Sequence, residues 1–334
     1  MSRHQRRQDD PNHLARRSEG SMPHAATPLR REVAFLSDGV ACRAWLYEPA
    51  ADVARPAPCI VMAHGLGGTR DASLPPYAER FSAAGFYVLL FDYRHLGDSD
   101  GEPRQLISMK RQLADWTAAI GFARTTPGID AARIGLWGCS LAGGHALVVA
   151  ARDQRIAAVS AQCPMLDGAA SARMAVRQAG FAMSVRMIGA ALLDVARACI
   201  GKAPHYVPLA APPGQLAAMA TEDAYAGCMA IVPPGWRNEV AARLFFTLPL
   251  YHPSRYARDV ACPTLLIACA YDTVASTRAA VQTGARMGNR AQLIVLPIGH
   301  FDIYLGKGFE RSSSEQLAFF SNAFAVPGTV VKAR

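Results

Sequence analysis

The chain has no Cys-x-x-Cys pair and no cluster of histidines and cysteines at zinc-ligand spacing, so the sequence offers no basis for a metal centre. Its eight cysteines are spread over 334 residues, too thinly for a disulfide scaffold. Cys59, Cys163, Cys262 and Cys269 lie in apolar, strand-like runs, as buried thiols of a reducing compartment do, and a cytoplasmic protein is expected. No apolar run approaches the roughly 18 residues of a membrane span, and the N-terminus lacks the apolar core of a secretory signal. No glycine-rich loop is followed by Gly-Lys-Ser/Thr, which excludes a P-loop. Aromatic residues do not interleave with a basic stripe either. The net charge of +9 includes +4 from residues 1–31, where seven arginines outnumber Asp9, Asp10 and Glu19, and the remaining +5 is ordinary for a body of this size. Nucleic acid is therefore not expected as a partner.

What is present is apolar: 51% of residues are hydrophobic, enough for one large α/β core carrying an inserted subdomain. Residues 1–31 are polar and without periodicity, which predicts disorder. Met22 offers an alternative start, so whether residues 1–21 belong to the mature protein stays open. From Glu32 to Tyr47 two β-rich segments flank Ser37-Asp38-Gly39, a hairpin signal. Cys59–Ala63 reads as a strand covered on both faces and ends in His64-Gly65-Leu66-Gly67-Gly68, whose backbone N–H groups are free to meet an anion. Further buried strands are expected at 85–92, 156–165, 263–270 and 291–296. Helices are expected at 75–84, 104–124, 276–287 and 309–324. The loop Tyr93–Gly101 reads as structural.

The organising stretch is Arg133–Ala146, a buried strand that breaks at Gly138-Cys139-Ser140 and restarts at once as a helix. A serine on such a turn presents its hydroxyl over the end of the sheet, and Gly138, Ala142, Gly143 and Gly144 let helix and strand approach. Asp272 and His300 each follow a later strand. A serine, an acid and a histidine, each at a strand end, are the residue types with which an imidazole can take the serine proton while a carboxylate holds the imidazole. Rivals within the chain are Asp167 for the acid, Cys139 for the nucleophile, and His95, His145 and His252 for the base. Residues 168–250 are rich in alanine, methionine and proline, with a helical stretch at 171–200 and no evident strand. They read as a helical cap over the strand ends, between core segments 32–167 and 251–327. Met174, Met183, Met187, Phe181, Phe245 and Phe246 are candidates to line an apolar pocket. Met183 and Phe245 are singled out as substrate-binding.

On the loops HGLGG and FDYRHLGDSDGEPR and the turn GCSLAGGHA, residues 33–325 resemble the α/β-hydrolase superfamily. Within it they are most similar to the group of dienelactone-hydrolase-like, X-prolyl-peptidase-like and polyketide-linked thiohydrolase enzymes. The resemblance implies a mostly parallel central sheet flanked by helices, with Ser140 as nucleophile, Asp272 as acid and His300 as base. It also implies an oxyanion hole from the N–H groups of Leu66 and Leu141. Ala142 and Ser276 depart from the usual pattern without removing a catalytic group. The expected function is hydrolysis of a small-molecule carboxylic ester or thioester without cofactor or metal. Acyl transfer, C–C hydrolysis and peptidase activity by the same triad, or ligand binding without catalysis, are the alternatives. A homo-oligomer is compatible with the sequence.

Overall fold

The computed structural model describes residues 29–325. Two strands, β1 (Leu29–Ser37) and β2 (Val40–Glu48), form the hairpin about Asp38-Gly39 in register from Leu29↔Glu48 to Ser37↔Val40. The strand therefore begins at Leu29 and takes Arg30 and Arg31 into the sheet, which shortens the tail expected over residues 1–31. Residues 1–28 lie outside those described, as do residues 326–327 of the expected core. Six parallel strands follow: β3 (Ala57–Ala63), β4 (Tyr87–Phe91), β5 (Ile129–Cys139), β6 (Ala158–Gln162), β9 (Thr264–Cys269) and β10 (Ala291–Leu296). The sheet order is β1-β2-β4-β3-β5-β6-β9-β10, with β2 antiparallel to β4.

The apolar runs are continuous because both faces are covered. In β3, Cys59, Val61 and Ala63 enter one core, while Ile60 and Met62 enter the other. Helices α2 (Met109–Thr125), α3 (Leu141–Arg152) and α8 (Thr277–Met287) cover the first face, and α1 (Pro75–Ala83) and α9 (Gly306–Phe324) the second. Residues 141–150 of α3 are buried all round. Such a helix is held by packing, at about 1.5–3 kcal/mol for a side chain such as Leu147 or Val148. Helix α2 starts at Met109 rather than near Arg104, since Arg104 is drawn into the loop before it, where its guanidinium donates to Gly97 O at 2.6 Å.

Between β6 and β9 the chain forms α4 (Gly168–Ala179), α5 (Phe181–Cys199), β7 (Tyr206–Val207), α6 (Glu222–Ile231), β8 (Val240–Ala241) and the single turn α7 (Leu244–Thr247). The helical stretch expected over 171–200 is two helices, because Gly180 sits at φ 83° and ends α4. A two-residue antiparallel pair, β7 with β8, appears where no strand was expected. The segment is knotted by Asp194, whose side chain is inaccessible. Its Oδ2 accepts from Arg243 N at 2.8 Å and Nε at 2.7 Å, and its Oδ1 accepts from His205 N at 2.8 Å. Burial opposes that charge, but these donors hold the carboxyl below its usual range.

Asp194→Ala leaves Arg243 and two backbone N–H groups unpaired, and the expected loss is about 3 kcal/mol or more of unfolding free energy. Urea unfolding measures it. A loss under about 1 kcal/mol would show that the pair behaves as a surface one.

Candidate active site

Three strand ends and one loop converge. Strand β5 ends at Cys139, and Ser140 adopts φ 52°, ψ −119° before α3 begins at Leu141. A non-glycine residue here is strained, so neighbouring backbone must hold it. Ser140 N donates to Gln162 O at 2.8 Å, and Ser140 O accepts from Met165 N at 2.9 Å and Gly143 N at 3.0 Å. Room is the second requirement: a Cβ on Gly138 would stand 2.3 Å from Ala142 O, so any larger residue would push α3 off the strand. The methyl of Ala142, by contrast, is fully buried without displacing the turn.

His300 lies four residues beyond β10 and is 3% exposed. Its Nδ1–H donates to Asp272 Oδ2 at 2.6 Å, and Asp272 Oδ1 accepts from the N–H groups of Val274 at 2.8 Å and Ala275 at 2.6 Å. Three donors thus fix the orientation of the carboxylate. Burial alone would lower the His300 pKa, but the adjacent Asp272 charge and hydrogen bond raise it well above 6.5. No hydrogen bond joins Ser140 Oγ to His300. Nε2 instead meets the Cys163 thiol at 3.9 Å, and Cys163 also meets the Tyr304 hydroxyl at 3.7 Å. Burial pushes that thiol up to about 11, so it is neutral at ordinary pH. Contacts between base and nucleophile commonly tighten only around a bound substrate.

Ser140, His300 and the loop Gly65-Leu66 open into one cavity. Among the described residues, no acceptor takes the N–H of Leu66 or of Leu141, so both remain available beside Ser140. The loop is pinned from the cap: Trp236 Nε1–H donates to Gly67 O at 2.8 Å. Cap residues Ala172, Ala175, Ala217, Ala218 and Ala220, with Phe245 and Leu248, form much of the wall. Apart from histidine, no ionisable acid or base of the described residues other than cysteine and Tyr304 lines it.

The structure separates the expected residues. Phe245 lines the cavity, whereas Met183, like Met174, Phe181, Met187 and Phe246, does not. Met183 stands in α5, which begins after the break at Gly180 and contributes no residue to the cavity wall. Asp167 caps α4, accepting from Ala170 N at 3.0 Å, and meets His252 at 3.2 Å rather than His300. His145 is buried between Tyr251 and Gln112 at 2.7 and 3.0 Å, and desolvation pushes its pKa down to about 3, so it is a neutral structural group. His95 contacts Arg111 at 2.8 Å. The Cys139 thiol faces Ala63 O at 3.8 Å, and burial raises its pKa to about 11. Cys163 and Trp236 were not anticipated. Cys163, just past β6 and beside the serine strand, carried a positional signal, but Trp236 carried none, because 169 residues separate it from Gly67.

The model of the X-Pro dipeptidyl-peptidase (S15) family matches residues 38–302. The quorum-quenching protein AidA of Acinetobacter baumannii is 42% identical over 312 residues, covering 93% of this chain and 99% of that protein. The thiohydrolase aneE of Aspergillus aculeatus is 40% identical over 137 residues, 41% of this chain and 42% of that one. The crystal structure of the α/β hydrolase GrgF from Penicillium superposes with a TM-score of 0.76 at 25% identity, covering 89% of this chain and all of GrgF.

The imidazolium of His300 is stabilised by Asp272, so its ring protons, followed by NMR, should titrate with a midpoint above 6.5. Asp272→Asn removes the opposing charge, burial then dominates, and the midpoint should fall. A wild-type midpoint below 6.5, or none of that fall in the variant, would show that the pair is not charge-coupled.

Proposed function

The chain belongs to the X-Pro dipeptidyl-peptidase (S15) family of α/β hydrolases, and from that premise we propose that it is a serine hydrolase of small apolar carboxylic esters or thioesters. Ser140 Oγ attacks the carbonyl carbon while His300 Nε2 takes the hydroxyl proton. The N–H groups of Leu66 and Leu141 receive the charge that develops on the carbonyl oxygen. Collapse expels the alcohol or thiol, protonated by His300, and leaves the acyl group on Ser140. Water, deprotonated by the same imidazole, then releases the carboxylic acid. Asp272 holds the ring with Nδ1–H directed away from the serine and stabilises the imidazolium.

The observation that carries this reading is the 2.6 Å Asp272–His300 contact opening with Ser140 into one apolar cavity. The wall also narrows the substrate class. A dipeptidyl-peptidase must meet a protonated N-terminal amine, which a buried site accommodates with a carboxylate. The described cavity wall includes no Asp or Glu, which favours a neutral acyl group over a peptide N-terminus. The relatives' names, thiohydrolase among them, are in keeping with an acyl substrate.

Ser140→Ala should leave the fold intact and lower kcat by roughly 10⁴ or more, since such residues act as a unit. Assay with p-nitrophenyl esters, alongside fluorophosphonate labelling of the wild type, measures both. Retained turnover in the variant would remove Ser140 from the role.

The alanine-rich wall predicts a chain-length optimum. Each buried methylene contributes about 0.8 kcal/mol, so kcat/KM should rise up to several-fold per carbon until the cavity is filled. Phe245→Ala should move the optimum to longer esters, and Met183→Ala should not. A flat wild-type profile would reject an acyl pocket.

A further inference from the structure

Helix α5 is inverted relative to an ordinary surface helix. Its buried positions include Ala190 and Ala191, while the large apolar side chains face outward. Phe181 is 82% exposed and Leu192 57%, with Val185, Ile188 and Val195 also exposed. Steps of four, three, four and three residues place these five on one line. Exposed Ala182, Gly189, Leu193 and Ala196 widen it to an apolar arc of about 160°. A soluble helix normally turns such an arc to the core, so this one is built to be covered.

The charges around it decide by what. From residue 168 to 221 the chain carries Arg173, Arg177, Arg186, Arg197 and Lys202 against a single acid, Asp194. That acid is buried and paired to Arg243. Arg173, Arg177, Arg186 and Lys202 are exposed, and none has an ion-pair partner among the described residues. In a twofold pairing the same patch meets itself, so a second copy would set the cations of α4 and α5 against the same cations. An anionic lipid surface supplies what is missing, apolar depth for the arc and negative charge for its rim. No described helix is long and apolar enough to cross a membrane, and α5 carries three charged residues, so the helix fits the plane of the interface rather than a span.

We propose that α5 docks this protein on anionic membrane surfaces, with Phe181, Val185, Ile188 and Leu192 entering the headgroup boundary and Arg173, Arg177 and Arg186 meeting lipid phosphates. Helix α4, which joins α5 at Gly180, contributes Ala172, Ala175 and Ala179 to the cavity wall. The proposal stands on the exposed arc and its charge alone and is tested by binding rather than turnover.

The full chain is sedimented with vesicles of phosphatidylcholine containing about 30% phosphatidylglycerol, and with phosphatidylcholine alone. Binding is expected to the anionic vesicles, weakened by salt. Ile188→Glu should weaken it about tenfold or more, and Arg186→Glu at least about fivefold, with circular dichroism and short-ester hydrolysis unchanged. Absence of binding at low salt, or binding indifferent to both substitutions, overturns the proposal. So does a dimer by light scattering that Ile188→Glu dissociates, which would make a second copy the occupant.

Discussion

The structure depends on the strained backbone of Ser140. A positive φ at a non-glycine residue costs of order 1–3 kcal/mol, and it persists only where surrounding packing leaves no alternative. Here the carbonyl of Ser140 is held by Met165 and Gly143, its N–H by Gln162, and α3 is buried along ten consecutive residues against the sheet. Relaxing the turn would require the whole of α3 to move. As the first residue of α3, Leu141 has an N–H without an intrahelical acceptor, so the turn sets an available donor beside the hydroxyl that opens into the cavity.

A second layer of constraint comes from the insertion after β6. Trp236 fixes the carbonyl of Gly67, and Asn238 Oδ1 accepts from the N–H groups of Leu209 at 3.0 Å and Ala210 at 2.9 Å. The cap is thereby tied to the loop that carries Leu66. Its wall also reaches the acid loop, since Gln178 Nε2 donates to Thr273 O at 3.1 Å and Thr273 Oγ1 donates to Asp223 Oδ2 at 2.7 Å. On the opposite side of the loop, buried Asp92 accepts from Arg70 N at 2.7 Å and lies 3.6 Å from His64 Nε2. Desolvation raises the Asp92 carboxyl to about 7 and lowers His64 to about 4. These groups brace the loop ahead of Leu66.

The strands were legible because a strand covered on both faces must be apolar throughout, as Cys59–Ala63 and Thr264–Cys269 are. Strand ends were legible because glycine, proline and polar residues gather where the chain leaves the sheet, and Ser140, Asp272 and His300 were picked out there. The cap was legible as an interruption and not as a structure. Its helices are short, its strands are two residues long, and alanine packs equally well inward or outward. Met183 illustrates the consequence: a methionine in an apolar cap segment is a candidate for the lining, but it stands in α5, which contributes no residue to the cavity wall.

The sequence by itself determined the order of elements, the continuous apolar strands, the tight turn at Ser140 and the positions of the polar residues at the strand ends. These follow from local rules, such as side-chain alternation, glycine geometry and the need to bury both faces of a parallel sheet. The tertiary structure alone decided that Cys163 stands at Nε2, that Trp236 holds Gly67, and that the large side chains of α5 face outward. Each of those is a contact or an orientation across tens to hundreds of residues, set by how the strands are ordered in the sheet and how the cap is folded over it. No spacing along the chain encodes such distances, because they arise only when the packing of every intervening element is settled.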